Sequence, residues 1–148
     1  MNQHEAQSLY ERDFYQWIEE TSHLLEEGKF AQLDIQNLVE ELQTMGRSEK
    51  RAIRSNLTVL LHHLLKWKYQ PNKQSSSWVY TIREHRKRIK DLLRDSPSLS
   101  NYLVDALPEC YEEARYRATR DTKLPINTFP VDCIFSLEVT LEREFEQL

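Results

Sequence analysis

Apolar residues recur along this chain at the three-to-four spacing of a helix, and nowhere with the alternation of a strand over a useful length. Leu9, Phe14, Trp17, Ile18, Thr21, Leu24 and Leu25 predict a first helix over residues 7–27, with Gly28 as its left-handed stop. Asp34 is a good N-cap for the next element. There the pattern is most regular: Ile35, Leu38, Val39, Leu42 and Met45, then Ile53, Leu57, Leu60, Leu61, Leu64 and Leu65. Two readings stay open. One is a single helix over 34–69; the other is two helices broken at Gly46, with Ser48 capping the second. The apolar phase survives passage through Gly46, and an interior glycine costs only about 1 kcal/mol, which favours the long helix. Its polar middle, residues 47–51, is expected to stand clear of the core or to bend.

Pro71 ends that element, and residues 72–76 form a polar loop. Trp78, Ile82, Ile89, Leu92 and Leu93 mark a helix over 77–95, with Ser75, Ser76 and Ser77 all suited to cap it. Ser96 and Pro97 predict a restart as cap and first helical residue. The following helix carries Leu99, Leu103, Ala106, Leu107, Cys110, Tyr111, Ala114 and Ala118, and Pro108 is expected to kink or divide it. Residues 123–134 hold two prolines and no helical period. They read as an ordered strap, because Leu124, Ile126, Phe129, Val131 and Ile134 need burial. Ser136 predicts a cap for a last short helix ending near Phe145. The expected fold is therefore all-α: one domain over residues 1–148, a bundle of five or six helices with an irregular strap before the last.

At 148 residues and 39% hydrophobic, the chain is long and apolar enough for a core without disulfide staples. Cys110 and Cys133 match no metal or redox spacing and read as reduced core thiols. No apolar run is long enough to span a membrane, and the start, Met1 to Glu5, lacks the features of a secretory leader. A cytoplasmic protein is expected.

The net charge of −4 hides a partition. Residues 1–46 carry two basic and ten acidic side chains, residues 47–94 thirteen basic and three acidic, and residues 95–148 five basic and eleven acidic. Either the basic middle is neutralised within the chain by ion pairs of small individual worth, or it forms a face for an anionic partner. Arg83, Arg86, Lys87, Lys90 and Arg94 lie three or four apart and could form one stripe of such a face.

If the Pro71 loop turns the chain back, His63, Lys66 and Trp67 meet Trp78, Arg83 and Arg86 at the end of a helical hairpin. An aromatic, imidazole and guanidinium cluster suits a planar or anionic group; equally, tryptophans at helix ends are core residues. No catalytic residue is identified. Glu40, Glu41 and His63 are the acid–base candidates, but no spacing pairs them, no nucleophile sits in a recognisable signature, and no glycine-rich phosphate loop occurs. No metal-ligand spacing and no cofactor motif are present.

Four ordered motifs add to this reading. They are Tyr10-x-x-Asp13-Phe14-Tyr15-x-Trp17; Asn37-Leu38-x-Glu40-Glu41 followed by Met45-Gly46-Arg47-Ser48-Glu49; His63-Leu64-Leu65-Lys66-Trp67-x-Tyr69-Gln70-Pro71 with Ser77-Trp78 and Ile82-Arg83; and Asp95-Ser96-Pro97-Ser98-Leu99. In this order they resemble the bacterial, chiefly cyanobacterial, family catalogued as domain of unknown function 29. The resemblance covers nearly the whole chain and is looser near Cys133-Ile134, where the family tends to have Cys-Pro. It implies an all-α bacterial protein and no assigned activity, cofactor or catalytic residue.

The first functional expectation is a non-enzymatic interaction module that binds a protein partner or a second copy of itself. The alternative is a nucleic-acid-binding or RNA-cleaving protein, in which His63 acts as acid or base, Lys66, Arg83 and Arg86 hold phosphate, and Trp67 or Trp78 stacks a base. A small-molecule pocket for an anionic ligand around Trp67 and Trp78 is the third.

Overall fold

Local capping chemistry decides where the first helices begin and end. A computed structural model describes residues 8–145 and 148. The expected start at Gln7 and the opening residues Met1 to Glu5 lie outside the described residues. The predicted first helix is in fact two, α1 (Leu9–Arg12) and α2 (Phe14–Glu26). The apolar period runs unbroken through the junction, but Asp13 turns out of the helix and its carboxylate accepts from the Gln16 N–H at 3.1 Å. A short acidic side chain that satisfies an orphan backbone donor outweighs continuity of the helix there. Gly28, at φ +70°, ends α2 as expected, and the Lys29 N–H returns to the Leu24 carbonyl at 2.9 Å.

Asp34 caps α3 (Ile35–Tyr69) by accepting from the Asn37 N–H at 3.3 Å. At 35 residues α3 is a single helix through Gly46, about 50 Å long. Its stretch 43–51 is exposed on every side, as its polarity requires. Ser75 caps α4 (Ser76–Asp95). α5 (Leu99–Thr122) begins two residues later than Ser96-Pro97 suggests, and it is not divided at Pro108. A proline removes the bond to the carbonyl four residues earlier; here that residue is Val104, which is exposed, so water is at hand for the freed carbonyl. Ser136 caps α6 (Leu137–Leu141), which stops short of Phe145. The fold is all-α, with six α-helices and no strand among the described residues.

Contacts divide the chain into two compact units that meet within α3, at residues 47 and 48. Among the described residues of the first unit, Trp17 and Thr21 are the buried side chains. Tyr10 sets its ring edge-on to Phe14 and Trp17, at 5.7 and 4.9 Å, and its hydroxyl donates to the Glu41 carboxylate. In the second unit, α3 supplies Ile53, Leu57, Leu60, Leu61, Leu64, Leu65 and Trp67 to the core. α4 adds Ile82 and Ile89, while Ala106, Ala114 and Ala118 on α5 have no bulk to hold neighbouring helices apart. The strap after α5 seats Phe129 and Phe135 in that core and half-buries Leu124 and Ile126. It leaves Val131 and Ile134 exposed, contrary to the expectation that all its apolar residues are covered. With no period to fix which way they point, those two follow the strap's turns.

The two glycines should respond oppositely to alanine. Gly28→Ala forces a side chain into the left-handed region and is expected to cost about 1 kcal/mol or more. A Cβ at Gly46 meets nothing within 4 Å in a helix interior, so Gly46→Ala should stabilise by up to about 1 kcal/mol. Urea denaturation of both variants checks the signs.

Candidate functional site

The hairpin of α3 and α4 does gather most of the sequence-predicted residues, but in two separate groups. Both groups lie in the second unit. The first centres on Lys66. Its ammonium is 4.6 Å from the centre of the Trp78 ring and 2.7 Å from Asp121 Oδ2. One side chain of α3 thus ties α4 through a cation–π contact and α5 through an ion pair. Only 12% of the Lys66 side chain is exposed, whereas Asp121 is half exposed, so water reaches the pair from the carboxylate side. Lys66, by bonding and by charge, holds the Asp121 carboxyl below its usual range.

His62 shares that carboxylate. Its Nε2 stands 3.2 Å from Asp121 Oδ2 yet is not aligned for a hydrogen bond, although it is buried. Burial is the main reason its pKa falls to about 4, with the neighbouring charges of His63 and Lys66 adding to it and Asp121 opposing. His63 faces the backbone instead. Its Nδ1 lies 2.9 Å from the Val59 carbonyl; since a carbonyl only accepts, that nitrogen carries the proton. Burial lowers the His63 pKa too, against the pull of that carbonyl. The helix sends the two rings to different neighbours, as their adjacent positions require.

The second group centres on Phe145. The Trp67 ring meets it edge-on at 5.0 Å, and the Arg86 guanidinium lies 5.3 Å from its centre. Arg86 also donates from Nε to the Thr140 carbonyl at 2.8 Å and from Nη2 to the Val139 carbonyl at 2.9 Å. It therefore clamps the last turn of α6. Trp67 is 7% exposed and belongs to the core, and among the described residues its indole N–H has no acceptor. Arg83 joins neither group. It lines an open groove of about 450 Å³ on the outer side of α4 with Val79, Tyr80 and Lys87.

Most of the basic block is engaged inside the chain. Arg54 pairs with Glu109 at 2.9 Å and Lys90 with Glu142 at 2.7 Å, while Lys87 and Arg94 pair with Asp91. The stripe on α4 is thus answered partly within the helix, by Asp91, and partly by the C-terminal third, through Glu142 and the Val139 and Thr140 carbonyls. Sequence reasoning missed Asp121, Thr140 and Phe145, which lie 54 or more positions from the hairpin residues they meet. The only signal for them was the acidity of that third.

Chemically, this arrangement holds and orients its side chains. Cys110 and Cys133 are free thiols whose pKa values burial pushes up, which keeps them protonated. Among the described residues no three histidine, cysteine or carboxylate side chains gather as a metal site. No helix there is long and apolar enough to cross a membrane.

The first unit carries a different kind of feature. Phe14, Trp17, Ile18, Thr21 and Leu25 of α2 face Leu38, Leu42 and Met45 of α3 across an apolar groove of about 230 Å³. Its walls are unusually open to water: Leu42 is 59% and Met45 63% exposed. Ile35 and Val39 extend the exposed apolar surface along α3. The sequence marks these positions as apolar, and periodicity reports an apolar face and not what covers it.

A family model described as Domain of unknown function DUF29 matches residues 9–146, and the chain belongs to that family. Comparison with curated proteins and with solved structures returned no match.

The half-buried histidines make stability depend on pH. An unfolded histidine protonates near pH 6.5, folded His62 only near 4. Between those values the unfolded chain binds the extra proton. Stability is therefore full above about pH 6.5 and declines towards pH 4, by up to roughly 3 kcal/mol for His62. Urea midpoints at about pH 7 and about pH 4.5 should show this decline, and His62→Gln should remove at least half of it. An unchanged decline in the variant would show that His62 is not its source.

Proposed function

We propose that this member of the DUF29 family is a non-enzymatic interaction module of the bacterial cytoplasm, and that it docks a protein partner on its N-terminal helical hairpin. One observation carries the reading. The facing sides of α2 and α3 in the first unit present an apolar groove whose walls stand in water. Contiguous exposed apolar surface on a small protein marks an interaction site more often than chance exposure does. The hairpin's own core of Trp17 and Thr21 is small, so covering the groove offers a large relative gain.

The second unit supports the same division of labour. Lys66, Trp67 and Arg86 are bound up in joining helices and closing α6, which leaves them little freedom to grip a phosphate chain or a base. For that reason we prefer protein docking to the nucleic-acid reading of the α3–α4 hairpin. The absence of a recognisable nucleophile signature in the sequence fits a module that binds and does not react.

A photo-reactive side chain placed at Leu42 tests this in cells. It should crosslink to a discrete protein species. The same probe at Tyr116, which is exposed on α5, should not. Equal labelling from both positions, or none from Leu42, would overturn the docking role of the groove.

A further inference from the structure

Resting on that reading, we propose that the occupant of the groove is an amphipathic helix of another protein, apolar on one face and basic along its edges. The groove has the form for it. It runs between two helices, and α2, at 13 residues, is about 20 Å long, which matches a guest helix of three to four turns. Phe14, Ile18 and Leu25 on one wall and Leu38, Leu42 and Met45 on the other recur every three to seven residues, the spacing that receives a helix ridge. Seated there, the guest would complete a three-helix bundle with α2 and α3.

Charge selects among occupants. Residues 1–47 hold three basic and ten acidic side chains, a net of −7. Glu41 itself lines the groove. Helical spacing puts Glu26 and Glu20 on opposite flanks of the α2 stripe, each about 120° from its centre, with Glu19 further round the helix. Glu19 accepts from the Tyr15 hydroxyl and Glu20 from the Gln16 amide, so these bonds leave their charges uncompensated. Lysine or arginine at the margins of a guest helix would meet them. A second copy of this hairpin would bring two units of −7 together, and like charge at close range opposes that. An anionic membrane or nucleic acid would be repelled for the same reason.

The test uses fluorescence anisotropy with the full chain and three labelled peptides of about 20 residues: a leucine–lysine amphipathic helix, its glutamate counterpart, and a scrambled peptide of the same basic composition. The basic amphipathic peptide should bind at least about tenfold more tightly than either control, and weaken severalfold as salt rises. Leu42→Ser with Met45→Ser should abolish binding, with circular dichroism reporting that the helices are retained. Should that pair fail to fold, Glu20→Gln with Glu26→Gln should weaken binding and flatten its salt dependence. Equal binding of the acidic or scrambled peptide, or of the serine variant, would overturn the proposal. So would a dimer in sedimentation that Leu42→Ser dissolves, which would make a second copy the occupant. If no peptide binds while the Leu42 crosslink still captures a protein, the partner chemistry falls and the docking role stands.

Discussion

Carbonyls of an irregular strap and of a helix's last turn lack helical donors, and two arginines supply them here. Arg115, only 7% exposed, donates from Nε and Nη2 to the Phe129 carbonyl at 3.2 and 2.9 Å and from Nη2 to Ile126 at 3.3 Å. Arg86 does the same for Val139 and Thr140. Tyr111, whose phenol burial pushes up to about 12, adds a bond from its hydroxyl to Pro130 at 2.8 Å. Charged donors make stronger bonds than neutral ones, and a planar fork reaches two carbonyls where an ammonium reaches one geometry at a time. Phe129, Phe135 and Phe145 enter the core because the backbone carrying them is held this way.

Committing these cations to the fold decides what remains on the surface. The second unit pairs many of its basic residues with its own carbonyls and carboxylates, as at Lys66–Asp121, Arg54–Glu109 and Lys90–Glu142. Individual exposed pairs contribute little to stability. Their larger effect is to offset much of the positive charge of the basic block. The first unit is left acidic, with a row of apolar side chains between its charges. Uncovered apolar area and uncompensated charge coincide in one helical pair, and that coincidence carries the functional reading.

Much of the fold was legible in the sequence because helical phase is a local property. The run from Ile35 through Leu65 keeps its phase across Gly46, and α3 is one helix. The caps Asp34, Ser75 and Ser136 were legible for the same reason. Asp13 was missed because periodicity is blind to a side chain that prefers its own backbone. The candidate site was legible only in part. The Pro71 turn brings Lys66 to Trp78, as a short hairpin should. Asp121 and Phe145 arrive through tertiary packing across 50 or more residues, which no local pattern encodes. Nor could the pattern separate Leu61, fully buried, from Leu42, largely exposed, since both sit on the apolar face of the same helix.

The central claim is that Arg86 serves the fold whereas Leu42 serves a partner. Thermal and urea unfolding of Arg86→Gln and Leu42→Ser, measured side by side on the free protein, tests it most directly. Arg86→Gln takes charged donors away from two carbonyls and should cost about 2 kcal/mol or more. Leu42→Ser alters a side chain already 59% exposed and should stay within about 0.5 kcal/mol of wild type. The contrary result, a Leu42→Ser protein as destabilised as Arg86→Gln, would show that the groove is covered in the free protein and is not a docking surface.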